Sequence, residues 1–170
     1  MIKNMMRLSC VIIGVLVLFL IFVSYQTPNS PEDAWARFED PNRVVAEDQL
    51  ADPLILAGEE VVPLLLEKLT DPYIFHGAYI YTALEGIGDP RALPAFEQVL
   101  LDRNVSKTGR CRALMATLRI HQPIKREVVL NSISELDCDD INMERVRNGQ
   151  VVEVEGPNRS YWDALLGYHY

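Results

Sequence analysis

Few residues in this chain have the types and spacing that chemistry needs. Its three histidines, His76, His121 and His169, stand far apart, and none sits at helical spacing from a second histidine or an acid. A zinc-binding His-Glu-x-x-His helix requires that spacing. Nucleophile elbows, phosphate-binding Walker loops and glycine-rich dinucleotide fingerprints do not occur in the sequence. Gly86-Ile87-Gly88 reads as a helix terminus. His121, beside Gln122-Pro123, reads as a solvated residue at a helix end. With no nucleophile, base and acid that could converge, the chain reads as a non-enzyme without catalytic, cofactor-binding or metal-binding residues.

Two charge clusters call for weighing. Asp137, Asp139 and Asp140 surround Cys138, with Asn142 and Glu144 close behind. A hard cation such as calcium accepts such oxygens. An EF-hand loop, however, wants an oxygen ligand at its fifth position and glycine at its sixth, where Ile141 and Asn142 stand. A solvated loop is the plainer reading. Lys107, Arg110, Arg112 and Arg119 gather positive charge on one predicted helix. They could face an anionic membrane or an acidic partner, or pair with Asp102 or the acid loop; a solvated helix face asks for least. Asn104-Val105-Ser106 and Asn158-Arg159-Ser160 fit the short N-glycosylation pattern, which matters only in a eukaryotic secretory lumen.

The elements that would position these residues follow from composition and periodicity. Hydrophobic residues make up 49% of the 170 and charged residues 24%, a folded rather than disordered composition. Much of the apolar excess lies in Leu8 to Val23, sixteen uncharged residues preceded by Lys3 and Arg7. With Ser24 and Tyr25 the run approaches the length of a spanning helix. A cleaved signal peptide is the rival, but Val-Ser-Tyr-Gln-Thr offers no good pair of small residues for cleavage. The basic flank places the N-terminus in the cytoplasm and residues beyond 25 outside it, in the periplasm of a bacterium. Lys3 and Arg7 apart, the chain carries 14 basic and 24 acidic residues, a net of −10. Such a surface repels phosphate backbones, which excludes general nucleic-acid binding.

Beyond a polar linker, Gln26 to Pro31, one helical unit begins twice. Gly58–Asp71 is echoed by Gly88–Asp102: Pro63 matches Pro94, Leu65 matches Phe96, Leu69 matches Leu100, at an offset of 31 (94 − 63). Such a period with two apolar stripes predicts stacked helix pairs. The outer and inner helices are expected at 44–57 and 60–69, 74–87 and 91–101, and 107–120 and 124–136. The first of these should bend at Pro53. Val62, Leu65, Leu66 and Leu69 form an inner apolar stripe. Ser30 and Pro31 open a preceding helix whose Trp35 and Phe38 cover the first pair. Arg145 to Val154 alternates around Asn148-Gly149, a hairpin pattern. Ser160 to Tyr170 gathers Trp162, Leu165 and Leu166 with tyrosine and histidine rings, a cap over the last pair or an aromatic docking patch.

The glycine-proline-leucine pattern of Gly58–Leu69, Asp71-Pro72, and the run Ala83-Leu84 through Ile87-Gly88-Asp89-Pro90-Arg91-Ala92-Leu93-Pro94 resembles HEAT repeats. The likeness spans roughly residues 44–136 and is nearest the short bacterial type named after phycobilisome lyases. Where members of that family carry an arginine early in each outer helix, this chain has His76-Gly77. The resemblance implies a protein-binding scaffold, with an enzyme or lyase relative as the alternative.

The expected fold is all-α: a short α-solenoid of about three HEAT-like helix pairs, an N-terminal transmembrane helix and a small C-terminal β-hairpin and aromatic cap. Its divisions are an anchor at 1–25, a linker at 26–31, the repeat domain at 32–140 and the cap at 141–170. The expected function is a non-catalytic adaptor for another protein at the inner membrane; an envelope-stability factor acting through the cap is a further alternative. Glu67, Glu97, Gln98 and Glu135 fall between core positions and are the candidate partner-binding face. No CxxC pair occurs, and Cys10 lies in the apolar run. Cys111 and Cys138 fall near the adjoining ends of the third helix pair. They could bridge if their Cα atoms come within about 7 Å, or remain two buried thiols. A bridge there would add roughly 3–4 kcal/mol. If the N-terminal segment is retained, the protein stays with membranes through a carbonate wash and its N-terminal sequence starts in its own initiator region. A mature sequence starting beyond Ser24 makes it a secreted domain instead.

Overall fold

A computed structural model describes residues 2–69, 77–139, 141–154 and 158–168, with side chains from Val11 onward. Among the described residues there are ten α-helices and no β-strand. They are α1 (Ile2–Gln26), α2 (Pro31–Phe38), α3 (Asp52–Ala57), α4 (Val62–Lys68), α5 (Ala78–Ile87), α6 (Leu93–Leu101), α7 (Lys107–Ile120), α8 (Glu127–Ser132), α9 (Met143–Arg147) and α10 (Tyr161–Leu166). His76, His169 and Asp140 lie outside the described residues.

Caps set several of these boundaries. The Ser30 hydroxyl accepts from the Asp33 amide at 3.1 Å at the start of α2, and Ser106 accepts from Gly109 at 3.2 Å at the start of α7. Asp89 accepts from the Arg91 amide at 2.8 Å, opening the 3₁₀ turn Pro90–Ala92 that runs into α6. A similar turn, Gly58–Val61, leads into α4. Gly58 and Gly88 both adopt positive φ, 65° and 72°, where α3 and α5 stop. Gly88 is left-handed, the conformation a glycine adopts at a helix C-terminus without a Cβ penalty.

The helices pack in sequence. α2 lies on α3, α3 on α5, α5 on α7, and α6 rests against both α7 and α8. Leu54, Leu84 and Leu114, at equal intervals along the chain, are each fully buried in α3, α5 and α7. Leu65 of α4 and Phe96 of α6 are fully buried too, while Leu66 is half-buried. Phe38 is buried, with the half-buried Trp35 ring 5.3 Å away. Two expected helices are shorter than periodicity implied. Residues 44–46 are not helical, and Pro53 stands in the first turn of α3, where its missing N–H costs nothing, so it starts that helix instead of bending it. α8 ends at Ser132, which leaves Glu135 in the following turn.

The expected hairpin is not there. The Asn142 side chain accepts from the Arg145 amide at 3.1 Å and caps α9, whose Met143 and Val146 turn inward at helical spacing. Asn148-Gly149 then ends a helix: Gly149 donates to Val146 O and Gln150 to Arg145 O. A local cap and one turn with Met143 and Val146 buried take up the segment that the alternating pattern offered to a hairpin. What remains of β-pairing is one antiparallel bridge, Ile141 to Val154. The aromatic end of the tail packs at the other end of the row from the last helix pair, on α3. The Val152 amide donates to Gln122 Oε1 at 2.8 Å just past α7, Arg159 passes Gly86 of α5, and α10 packs on α3. The tail thus straps back over the row to its beginning.

α1 stands apart in character. Its apolar side chains from Val11 to Phe22 are exposed, and Val23 packs on the core. Counted over the residues with described side chains, no single helix is long and apolar enough to cross a membrane. The pair Val11–Gln26 and Pro31–Phe38, bent by 71°, meets that length and composition together.

A Cβ at Gly86 would stand 2.4 Å from the Arg159 carbonyl oxygen, a backbone atom that cannot swing aside. Gly86→Ala is therefore expected to destabilise by about 1–3 kcal/mol despite alanine's better helix propensity. Leu65→Ala and Phe96→Ala should each cost roughly 2–5 kcal/mol, and Glu67→Ala less than about 0.5. Urea melts of the four variants check the order.

Candidate functional site

The most heavily constrained polar site is where the tail meets α3. Arg159 is 3% exposed and Asp52 6%. Arg159 Nη2 donates to Asp52 Oδ2 at 2.7 Å, its Nε donates to Asp52 Oδ1, and its Nη1 donates to Asp48 Oδ2 at 3.1 Å. Burial works against the charge on Arg159. Hydrogen bonding and attraction from Asp52, then Asp48, more than offset it and raise its pKa. The same burial pushes the Asp52 carboxyl up from its ordinary range, against the pull of Arg159. Two forked bonds and a second carboxylate satisfy the guanidinium, so this cluster holds chain to chain and is not poised for proton transfer.

A second tie lies at the other end of the row. Cys111 of α7 and Cys138 are joined by a disulfide with Cα atoms 5.7 Å apart. Close by, Arg110 Nε donates to Leu100 O at 3.2 Å and its Nη2 to Ser132 O at 2.6 Å. It thereby places positive charge at the C-terminal ends of α6 and α8. Arg119 pairs with Glu85 across α7 and α5, both mostly buried. Of the four basic residues in the α7 stretch, only Lys107 and Arg112 are exposed.

Those two line a cleft of about 520 Å³ between α5 and α7. Tyr79, Tyr81 and Glu85 face it, and Asp137, Asp139 and the disulfide form one margin. The Tyr79 hydroxyl donates to Glu47; burial and then that hydrogen bond push its pKa up to about 12. Tyr81 is raised by burial and stacks on Phe96, ring centroids 5.7 Å apart. Phenols held protonated, ring faces and charges of both signs line this cleft. Among the described residues, no three His, Cys, Asp or Glu side chains converge as metal ligands, and Asn142 of the acid stretch is spent capping α9.

The expected partner face is only partly assembled. Glu67 of α4 and Gln98 of α6 are exposed, and Glu67 pairs with Lys68 at 3.1 Å. Glu97 is half-buried and bound to Arg126. Glu135 is exposed, but it sits in the turn after α8 and not on a helix face. His121 is exposed beside a smaller apolar cleft of about 220 Å³ with Glu97 and Arg126. Sequence reasoning missed the Arg159 cluster, whose members lie 107 and 111 residues apart. Arg159 drew attention only as the middle of a glycosylation pattern.

No protein-family model, curated protein or solved structure matches the chain.

Removing one member of the buried cluster leaves an uncompensated charge, so Asp52→Leu or Arg159→Leu should each cost about 3–5 kcal/mol. Replacing both with apolar residues should recover much of that loss. Denaturant melts of the singles and the double complete the cycle; additive losses would show that the pair is not coupled.

Proposed function

We propose that this chain is a non-catalytic scaffold of the cell envelope. α1 anchors it in the inner membrane with its N-terminus in the cytoplasm, and the helical body stands outside the cytoplasm to bind another protein. One observation carries the reading: a cross-linked helical body continues directly from a helix whose residues Val11 to Phe22 are apolar and exposed. An apolar surface of that extent needs a non-aqueous partner. The uncharged stretch of α1 from Leu8 to Tyr25 is 18 residues, roughly 27 Å at 1.5 Å per residue, against a hydrocarbon core of about 30 Å. The disulfide suits an oxidising compartment. The row α3, α5, α7, with its evenly spaced buried leucines, suits stacked HEAT-like pairs. Exposed Glu67 and Gln98, and the Tyr79-lined cleft, are the surfaces offered to a partner.

In-cell photocrosslinking decides between those surfaces. With a crosslinker at Gln98 or at Lys107, one site should capture a defined envelope protein while the other does not. Capture of no defined protein from either site, together with a turnover found in extracts, would favour the enzyme reading.

A further inference from the structure

The C-terminal helix lies at the foot of α1. Phe22 and Gln26 of α1 share a cleft of about 420 Å³ with Leu165, Leu166 and Gly167 of the α10 end, and with Val45. Gln49 Nε2 donates to Gly167 O at 2.9 Å, and Arg37 Nη1 donates to Gln26 O at 3.3 Å, so both elements are tied to the body at this level. α10 buries Ala164 and Leu165 against the body. Its opposite side exposes Trp162 (60%), Leu166 (48%) and, just beyond, Tyr168 (59%). Trp162 and Leu166 are four residues apart and form one ridge. Val45 (36%) lines the same cleft, and Val44 (97%) and Tyr25 (81%) are the exposed chain neighbours of its lining residues Val45 and Gln26.

We propose that this ridge is a second membrane contact, with α10 laid into the lipid headgroup region beside the point where α1 leaves the bilayer. The inference rests on the reading of α1 as an anchor. Continuity with α1 selects lipid as the occupant: Leu166 shares its cleft with Phe22, one turn before Tyr25. Tryptophan and tyrosine favour this depth of a bilayer, where an apolar ring meets hydrocarbon and a polar edge meets water. The charges near the ridge decide the type of lipid contact. Asp40 and Asp52 accompany Arg37 and Arg43 in the cleft, and Arg43 spends donors on the carbonyls of Leu50 and Gln49 at 3.0 Å each. The domain as a whole is acidic. The contact is therefore apolar and interfacial, and neither anionic lipid nor low salt is needed for it. The buried Arg159 cluster, one residue before the Ser160 cap of α10, sets where the helix sits.

The full chain reconstituted in phosphatidylcholine vesicles tests this, comparing wild type with Trp162→Phe. Trp35 is the other tryptophan, packed on the core, and serves as the internal control. Flotation with the vesicles reports the anchor; brominated phosphatidylcholine reports the ridge. The expected result is flotation of both proteins, with wild-type emission blue-shifted and quenched by brominated lipid. The Trp162→Phe protein should lose that quenchable component, and the difference should survive molar salt. Flotation with equal quenching in the two proteins overturns the ridge contact and leaves the anchor standing. The same holds if Trp162 is shielded from aqueous acrylamide but untouched by brominated lipid, since protein would then cover it. Failure of both proteins to float removes the anchor and this inference together.

Discussion

A guanidinium cannot be taken out of water alone. Arg159 is nearly fully buried, and only carboxylates in fixed places make that tolerable. Asp52 and Asp48, more than a hundred residues earlier, supply them. This requirement brings the end of the chain back to its first packed helices. The strap that does so crosses beside Gln122 and Gly86, and each crossing has its own local accommodation. Gln122 presents an amide oxygen to Val152, and Gly86 has no side chain where the Arg159 carbonyl passes. A cluster of this kind adds little net stability compared with apolar packing, but it admits one arrangement of the tail.

The disulfide complements the strap. It joins α7 to the stretch where the tail leaves the helix row, closing a loop with a sequence separation of 27. A closure of that length restricts the unfolded chain by roughly 3–4 kcal/mol in the chain-entropy account. The tail is therefore held at its root by a covalent bond and near its end by an ion cluster. Between them it needs only short contacts, such as the Ile141–Val154 bridge and buried Val146 and Val152. Most of the exposed large apolar side chains lie in α1 and in or near α10, with Leu101, Val128 and Val151 elsewhere. The polar, ring-lined cleft between α5 and α7 stays open.

Local chemistry was legible wherever it was decided within a few residues. Ser30, whose type and position before Pro31 mark a helix start, accepts the Asp33 amide there. Leu65 and Phe96, matched in the sequence alone, are both fully buried. The reading failed where two local preferences competed. Asn148-Gly149 serves a hairpin turn or a helix stop equally well, and the cap from Asn142 tipped the balance toward helix. Glu97 fell between core positions as required of a surface residue, yet it is half-buried because Arg126, from a different element, covers it.

By itself the sequence determined the helical class, the start of the helix at Ser30, the inward-facing leucines and phenylalanines, and the apolar run at the start. Each of these depends on spacing within one or two helical turns, where the chain's geometry leaves few choices. The tertiary structure alone decided that the tail returns to α3, that Gly86 must lack a side chain, and that Cys111 and Cys138 are within bonding distance. It also decided which charges are spent on structure: Arg110 and Arg119 inside, Lys107 and Arg112 at a cleft. These facts join positions far apart in sequence, through burial and charge pairing that no local pattern encodes. Burial is a property of the whole packed chain, and so is the demand that every buried charge find its partner.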